Sequence, residues 1–204
     1  GGAEDAMVTN TYASSGSNSI GISSTGTGGP QDVVLDFGTL YNSGIFTLES
    51  NFYIMSNKNA YFNIQGSQTI GSVWALNVNM DNGQVVIDDG ATQATGSYTS
   101  ETWFNLKIEA NLTLGVWKAY IDNSIIGTWN NATNAVASVD LYPIQNSDFY
   151  VDDICFGHQT FTLPNLNGMV ASVNMGGTIA GQTVTPTITI VNAGQTTITD
   201  ASVT

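Results

Sequence analysis

Few residues in this chain are equipped for chemistry. There is one histidine, His158, one cysteine, Cys155, and four glutamates, Glu4, Glu49, Glu101 and Glu109, among 16 acidic residues. Nucleophilic catalysis needs a base beside its nucleophile. His158 stands in Gly157-His158-Gln159-Thr160, with no serine or cysteine placed to use it. We read it as an exposed linker residue, and Cys155, inside a hydrophobic run, as a small buried hydrophobe. One histidine and one cysteine cannot close a tetrahedral zinc shell without help from carboxylates. The acid pair Asp88-Asp89 precedes Gly90 and reads as a solvated turn.

Two chemistries stay open. Oxygen donors are plentiful, as calcium requires. Aromatic rings beside Asn and Asp side chains suit a sugar, whose C–H faces stack and whose hydroxyls need partners. Tyr53, Tyr61, Trp117, Tyr120 and Trp129 are the candidate ligand-binding platforms, since alternation leaves them facing away from the assumed core or at its edge. No residue is assigned a catalytic role.

The elements that must position these side chains are strands. Phe46, Leu48, Phe52 and Ile54 alternate with Thr47, Glu49 and Asn51, the pattern of a half-buried antiparallel strand. Trp74, Leu76, Val78 and Met80 alternate with Asn77 and Asn79, and Phe104, Leu106, Ile108 and Ala110 with Asn105, Lys107 and Glu109. We place these apolar sets in the core. Asp81-Asn82-Gly83 and Asp122-Asn123 supply turn residues that tolerate positive φ, predicting hairpins into 84–88 and from 116–121 into 124–129. Shorter strands are expected at 19–23, 32–37 and 60–65, and a long one at 148–156. About ten short strands with Asn- and Gly-rich turns, and no helical stripe, predict an all-β protein, an antiparallel jelly-roll β-sandwich. Alternation fades after Phe156. The expected domains are 1–157, a linker at 158–167 containing Pro164, and a partial immunoglobulin-like β module at 168–204, which some forty residues cannot close alone.

Charge excludes partners. With three basic residues, Lys58, Lys107 and Lys118, no arginine and a net charge of −13, the chain repels nucleic acid and anionic membrane surfaces. No run is long and apolar enough to insert in a membrane as a helix.

Four segments carry a resemblance. Ala13-Ser14-Ser15-Gly16-Ser17-Asn18-Ser19-Ile20, Trp103-Phe104-Asn105-Leu106-Lys107-Ile108, Lys118-Ala119-Tyr120-Ile121-Asp122-Asn123 and Phe149-Tyr150-Val151-Asp152-Asp153-Ile154 together resemble the concanavalin A-like lectin/glucanase superfamily, laminin G-like domains in particular, over roughly residues 12 to 157. Thr187-Ile188-Thr189-Ile190-Val191-Asn192-Ala193-Gly194 resembles cell-adhesion-type immunoglobulin-like modules of secreted bacterial proteins. The first resemblance implies a structural calcium where chain entry meets the last strand, which here implicates Asp152 with Glu4 or Asp5. The superfamily's glycosidases carry Glu-x-Asp-x-x-Glu on one strand, and no glutamate of this chain forms that pattern. The implied function is a non-catalytic binding or adhesion module of a secreted or cell-surface bacterial protein. Its partners would be a glycan or cell-surface polymer and further domains of the same polypeptide. The alternatives are a calcium-stabilised spacer or accessory domain of a secreted enzyme and, third, a divergent glycan-cleaving enzyme.

Overall fold

The computed structural model describes residues 2–24, 26–160, 168–174, 187–192 and 194–199. The chain divides into two units, Gly1–Thr160 and Phe161–Thr204. Strands of the first unit are β1 (Met7–Thr9), β2 (Ser19–Ser23), β3 (Val33–Tyr41), β4 (Ile45–Ile54), β5 (Ala60–Gln65), β6 (Trp74–Asp81) and β7 (Gln84–Asp88), followed by β8 (Thr92–Ser97), β9 (Phe104–Asn111), β10 (Val116–Ile121), β11 (Ser124–Asn130), β12 (Val136–Leu141) and β13 (Asp148–Gln159). They form a seven-stranded sheet, β1-β2-β13-β4-β9-β10-β11, and a six-stranded sheet, β3-β12-β5-β6-β7-β8, and every named strand pairing within them is antiparallel.

Alternation sends one set of side chains from each sheet into a shared core. Phe46, Leu48, Phe52 and Ile54 of β4 bury there with Phe62, Ile64, Leu76, Val78 and Met80 of the other sheet. Phe52 and Phe62 lie ring over ring at 5.4 Å. The predicted tight turns form as expected: Asn82 and Gly83 have φ of 49° and 77°, Asp122 and Asn123 of 47° and 65°. Positive φ at both central positions matches the right-handed twist of the flanking strands.

Two bulges break the parity on which the sequence reading relied, because one inserted residue turns every later side chain to the other face. In β6, Ile64 pairs with Leu76 but Gln65 with Trp74, so Ala75 is the extra residue. Trp74, expected in the core beside Leu76, is instead 48% exposed on the outer face. In β13 the register slips between Asp152 and Cys155. That slip carries Cys155, expected to be buried, to the surface. β13 also runs on to Gln159, so His158 is a strand residue, its Nε2 2.8 Å from the Ser43 carbonyl oxygen and its ring 4.4 Å from that of Tyr41.

In the second unit, Gly168–Asn174 and Thr187–Asn192 pair as an antiparallel hairpin. The linker expected at 158–167 falls outside the described residues from 161 onward, and so do residues 175–186, 193 and 200–204 of the module expected at 168–204.

Candidate functional site

A groove of about 610 Å³ lies on the outer face of the six-stranded sheet, where β12, β5 and β6 run side by side. Each strand contributes through the parity that points away from the core. β5 presents Tyr61, Asn63 and Gln65; β6 presents Asn77 and, through the Ala75 bulge, Trp74. β12 presents Asp140, with Tyr142 and Ile144 just beyond its end, and Asp32 stands ahead of β3. Ile70 and Gly71 of the β5–β6 loop form one wall, held by the Gly71 amide donating to Gln65 Oε1 at 2.7 Å.

The floor is polar and largely dry. Asn63 is 1% exposed and Asp140 9%. They sit opposite one another in the β5–β12 ladder, and Asn63 Nδ2 donates to Asp140 Oδ2 at 2.8 Å. Among the described residues no donor group reaches Asn63 Oδ1 or Asp140 Oδ1. Buried acceptors of this kind cost stability until something donates to them. Burial pushes the Asp140 acid up to about 6; the Asn63 bond works the other way, and the charge and hydrogen bond of the Asp32 carboxyl add to the rise. Two ionised carboxyls can only repel, whereas one proton between them makes the contact a hydrogen bond. Above this floor the Tyr61 hydroxyl donates to Asn77 Oδ1 at 2.6 Å, leaving Tyr61 and Trp74 as aromatic walls.

The raised pKa of Asp140 fixes the sign of a pH effect. A folded-state value above the unfolded one means that the folded chain keeps a proton the unfolded chain has released. The stability this contributes is complete below the unfolded value of 3.8 and is lost as pH rises through about 6. Going from pH 7 to pH 5 is therefore expected to raise the melting temperature of the wild-type chain relative to Asp140→Asn. Parallel melts of the two proteins check this, and coincident pH profiles would count against a buried acid.

The aromatic residues named from sequence divide between three places. Tyr61 lines the groove. Trp117 and Trp129, named as platforms, are core residues at 0% and 7% exposure. Along β10, Trp117, Ala119 and Ile121 face inward while Lys118 and Tyr120 face out, and Trp129 pairs directly with Trp117, sharing its face. Trp117 and Tyr120 are three apart on one strand and cannot share a side. Tyr120 and Tyr53 lie on the outer face of the seven-stranded sheet. Lys107 Nζ sits 4.2 Å above the Tyr120 ring, and Tyr53 stacks on Tyr12 at 4.4 Å, with Trp103 at 5.5 Å.

Among the described residues no three His, Cys, Asp or Glu side chains form a group, so the expected calcium site, Asp152 with Glu4 or Asp5, is not completed by a third such side chain. Asp152 Oδ2 accepts from the Ser14 and Ser15 amides at 2.8 and 3.1 Å, and Oδ1 from the Asp153 amide at 2.8 Å. Burial alone would raise its pKa; these three donors hold the carboxyl below its ordinary range. The Asp152 carboxylate thus clips the incoming N-terminal segment to β13 with hydrogen bonds. The Glu4 backbone carbonyl accepts from the Asp32 amide at 3.0 Å.

Sequence reasoning missed Asp32, Asn63, Gln65, Trp74, Asn77, Asp140 and Tyr142. Asn63 and Gln65 had a signal, as polar residues in phase on a strand. Asp140 had none, because β12 is buried along its whole length and shows no exposed parity.

Solved structures match this geometry. Over 77% of this chain and 87% of the other, it is 13% identical to the cellulose induced protein Cip1, with a TM-score of 0.56. The Bacillus subtilis carbohydrate-binding module CBM66 matches at 12% identity over 74% of this chain and 91% of its own, TM-score 0.50. The carbohydrate recognition domain of Emp47p matches at 12% identity over 76% and 89%, TM-score 0.50. The first unit has the jelly-roll fold of concanavalin A-like proteins. At these identities the likeness is one of fold, and function in a shared fold resides in the site. This jelly roll also matches an alginate lyase and a sialidase, of whose length the chain spans 60% and 15%. No family model and no curated protein matches the sequence. Among the described residues no helix is long and apolar enough to cross a membrane.

Proposed function

We propose that the jelly roll is a non-catalytic carbohydrate-binding module of a secreted or cell-surface protein, and that its site is the groove over β12, β5 and β6. The observation that carries this reading is the groove's composition: aromatic walls, Trp74 and Tyr61, over a floor of Asn63, Asn77 and Asp140. Sugar recognition combines these two ingredients, an apolar face for ring C–H groups and a few fixed polar atoms for hydroxyls. Carbohydrate binding in the proteins of like fold supports it.

Glycosidase chemistry is disfavoured by the acids the groove holds. Retaining and inverting glycosidases set two carboxyls apart, one on either side of the scissile bond, whereas Asp32 and Asp140, the acids of the groove, are joined to one another by a hydrogen bond.

The test is affinity electrophoresis and pull-down against a panel of neutral, amine-bearing and uronate polysaccharides, with reducing ends assayed after prolonged incubation. Wild type is expected to be retained by at least one polymer, Tyr61→Ala to be released from it and Tyr53→Ala to stay bound, with no reducing ends formed. Loss of binding in Tyr53→Ala but not Tyr61→Ala would move the site to the other sheet. Reducing ends that vanish in Asp140→Asn would make the groove an active site.

A further inference from the structure

The groove has an unmet electrostatic demand. Its charged lining residues are Asp32 and Asp140, and no cation is among them. All three lysines are engaged elsewhere: Lys58 Nζ lies 3.1 Å from Asn146 Oδ1, Lys107 over the Tyr120 ring, and Lys118 3.0 Å from Glu109. Independently of charge, the floor presents two buried oxygens without donors, Asn63 Oδ1 and Asp140 Oδ1. Unpaired buried acceptors beside a desolvated carboxyl are costly, and the occupant that relieves most of that cost brings both hydrogen-bond donors and positive charge.

Resting on the carbohydrate-binding reading above, we propose that the groove recognises an amine-bearing saccharide, a glucosamine-type polymer whose protonated amine docks between Asp140, Asn63 and Asp32 while its ring packs on Trp74. An ammonium carries three donors, the first of them for the exposed Asp32 carboxyl; Asn63 Oδ1 and Asp140 Oδ1, closed to solvent in the groove floor, are reached when the floor yields to the amine. Its bond to a carboxylate is about twice as strong as that of a neutral hydroxyl. The aromatic walls tolerate a cation as well as a sugar ring, since ring faces attract positive charge. At long range the net charge of −13 draws a cationic polymer in and turns uronates away. A uronate, with no basic residue in the groove to meet it, would place a third carboxylate beside Asp32 and Asp140.

Three β-1,4-linked hexamers that differ only at carbon 2 test this: glucosamine, N-acetylglucosamine and glucose. Binding is measured by titration calorimetry at about 0.15 M ionic strength, where attraction between distant exposed charges is largely screened. The glucosamine hexamer is expected to bind about tenfold or more tighter than the glucose hexamer, the margin between a charge-assisted and a neutral hydrogen bond. Asp140→Asn, nearly isosteric, and Asp32→Asn, at an exposed position, are each expected to erase that preference. Glu49→Gln with Glu101→Gln, in β4 and just ahead of β9 and outside the groove, removes two charges and is expected to keep it. Equal affinity for the glucosamine and glucose hexamers would overturn the amine assignment while leaving the carbohydrate groove standing. Loss of preference in the Glu49/Glu101 variant matching that in Asp140→Asn would also overturn it, by showing attraction to diffuse charge alone. Binding of no hexamer and no polymer of the panel would overturn both readings.

Discussion

Trp117→Ala is expected to destabilise the jelly roll by about 3–5 kcal/mol, the usual cost of emptying a core tryptophan site. The indole is fully buried, its Nε1 donates to Asn134 Oδ1 at 3.1 Å, and its ring lies 6.4 Å from that of Trp129. Truncation would leave a cavity and an orphaned amide oxygen together. For a unit of this size a loss of that order lowers the melting temperature by roughly 10 °C. Denaturant unfolding of the full chain measures it. Binding by the folded fraction is expected to be unchanged, because Trp117 faces the opposite sheet across the core and does not line the groove. A stability change below about 1 kcal/mol would contradict the placement.

Trp74→Ala is expected to do the reverse. This tryptophan is half exposed, so truncation removes little buried area and the melting temperature should hold to within about 1 kcal/mol of stability. Aromatic anchors at the centre of a recognition site carry a large share of its affinity. The glucosamine hexamer is accordingly expected to lose tenfold or more in affinity, read by the same calorimetry. Unchanged affinity, or a large drop in stability, would return Trp74 to the core that simple alternation assigned to it.

These two tryptophans show where sequence was sufficient and where it was not. Most strands, the hairpin turns at Asn82-Gly83 and Asp122-Asn123, and the facing of Phe46 to Ile54 or Phe104 to Ala110 followed from parity and turn chemistry, because those segments are regular. Parity failed at bulges, which leave no mark in composition. One extra residue at Ala75 moved Trp74 out to the groove, and the slip after Asp152 brought Cys155 to the surface. Trp117 is a different case. Val116 to Ile121 is a regular strand, and pairing Trp117 with Tyr120 on one exposed side contradicted the parity used elsewhere. The acid floor was illegible for a third reason. Asp140, Asn63 and Asp32 are brought together by strand order in the six-stranded sheet, through pairings of β12 with β5 and β3 across long sequence separations. No local pattern encodes that neighbourhood.

The central claim is that sugar is met by the six-stranded sheet's outer face, at Trp74. The four tryptophans give four indole N–H signals that report three places, the groove, the core and the outer face of the seven-stranded sheet. Titrating the glucosamine hexamer into isotopically labelled protein is expected to shift the Trp74 signal progressively, leaving buried Trp117 and Trp129 and the outer-face Trp103 beside Tyr53 in position. A Trp103 signal that moves while Trp74 stays still would place recognition on the seven-stranded sheet and contradict the account.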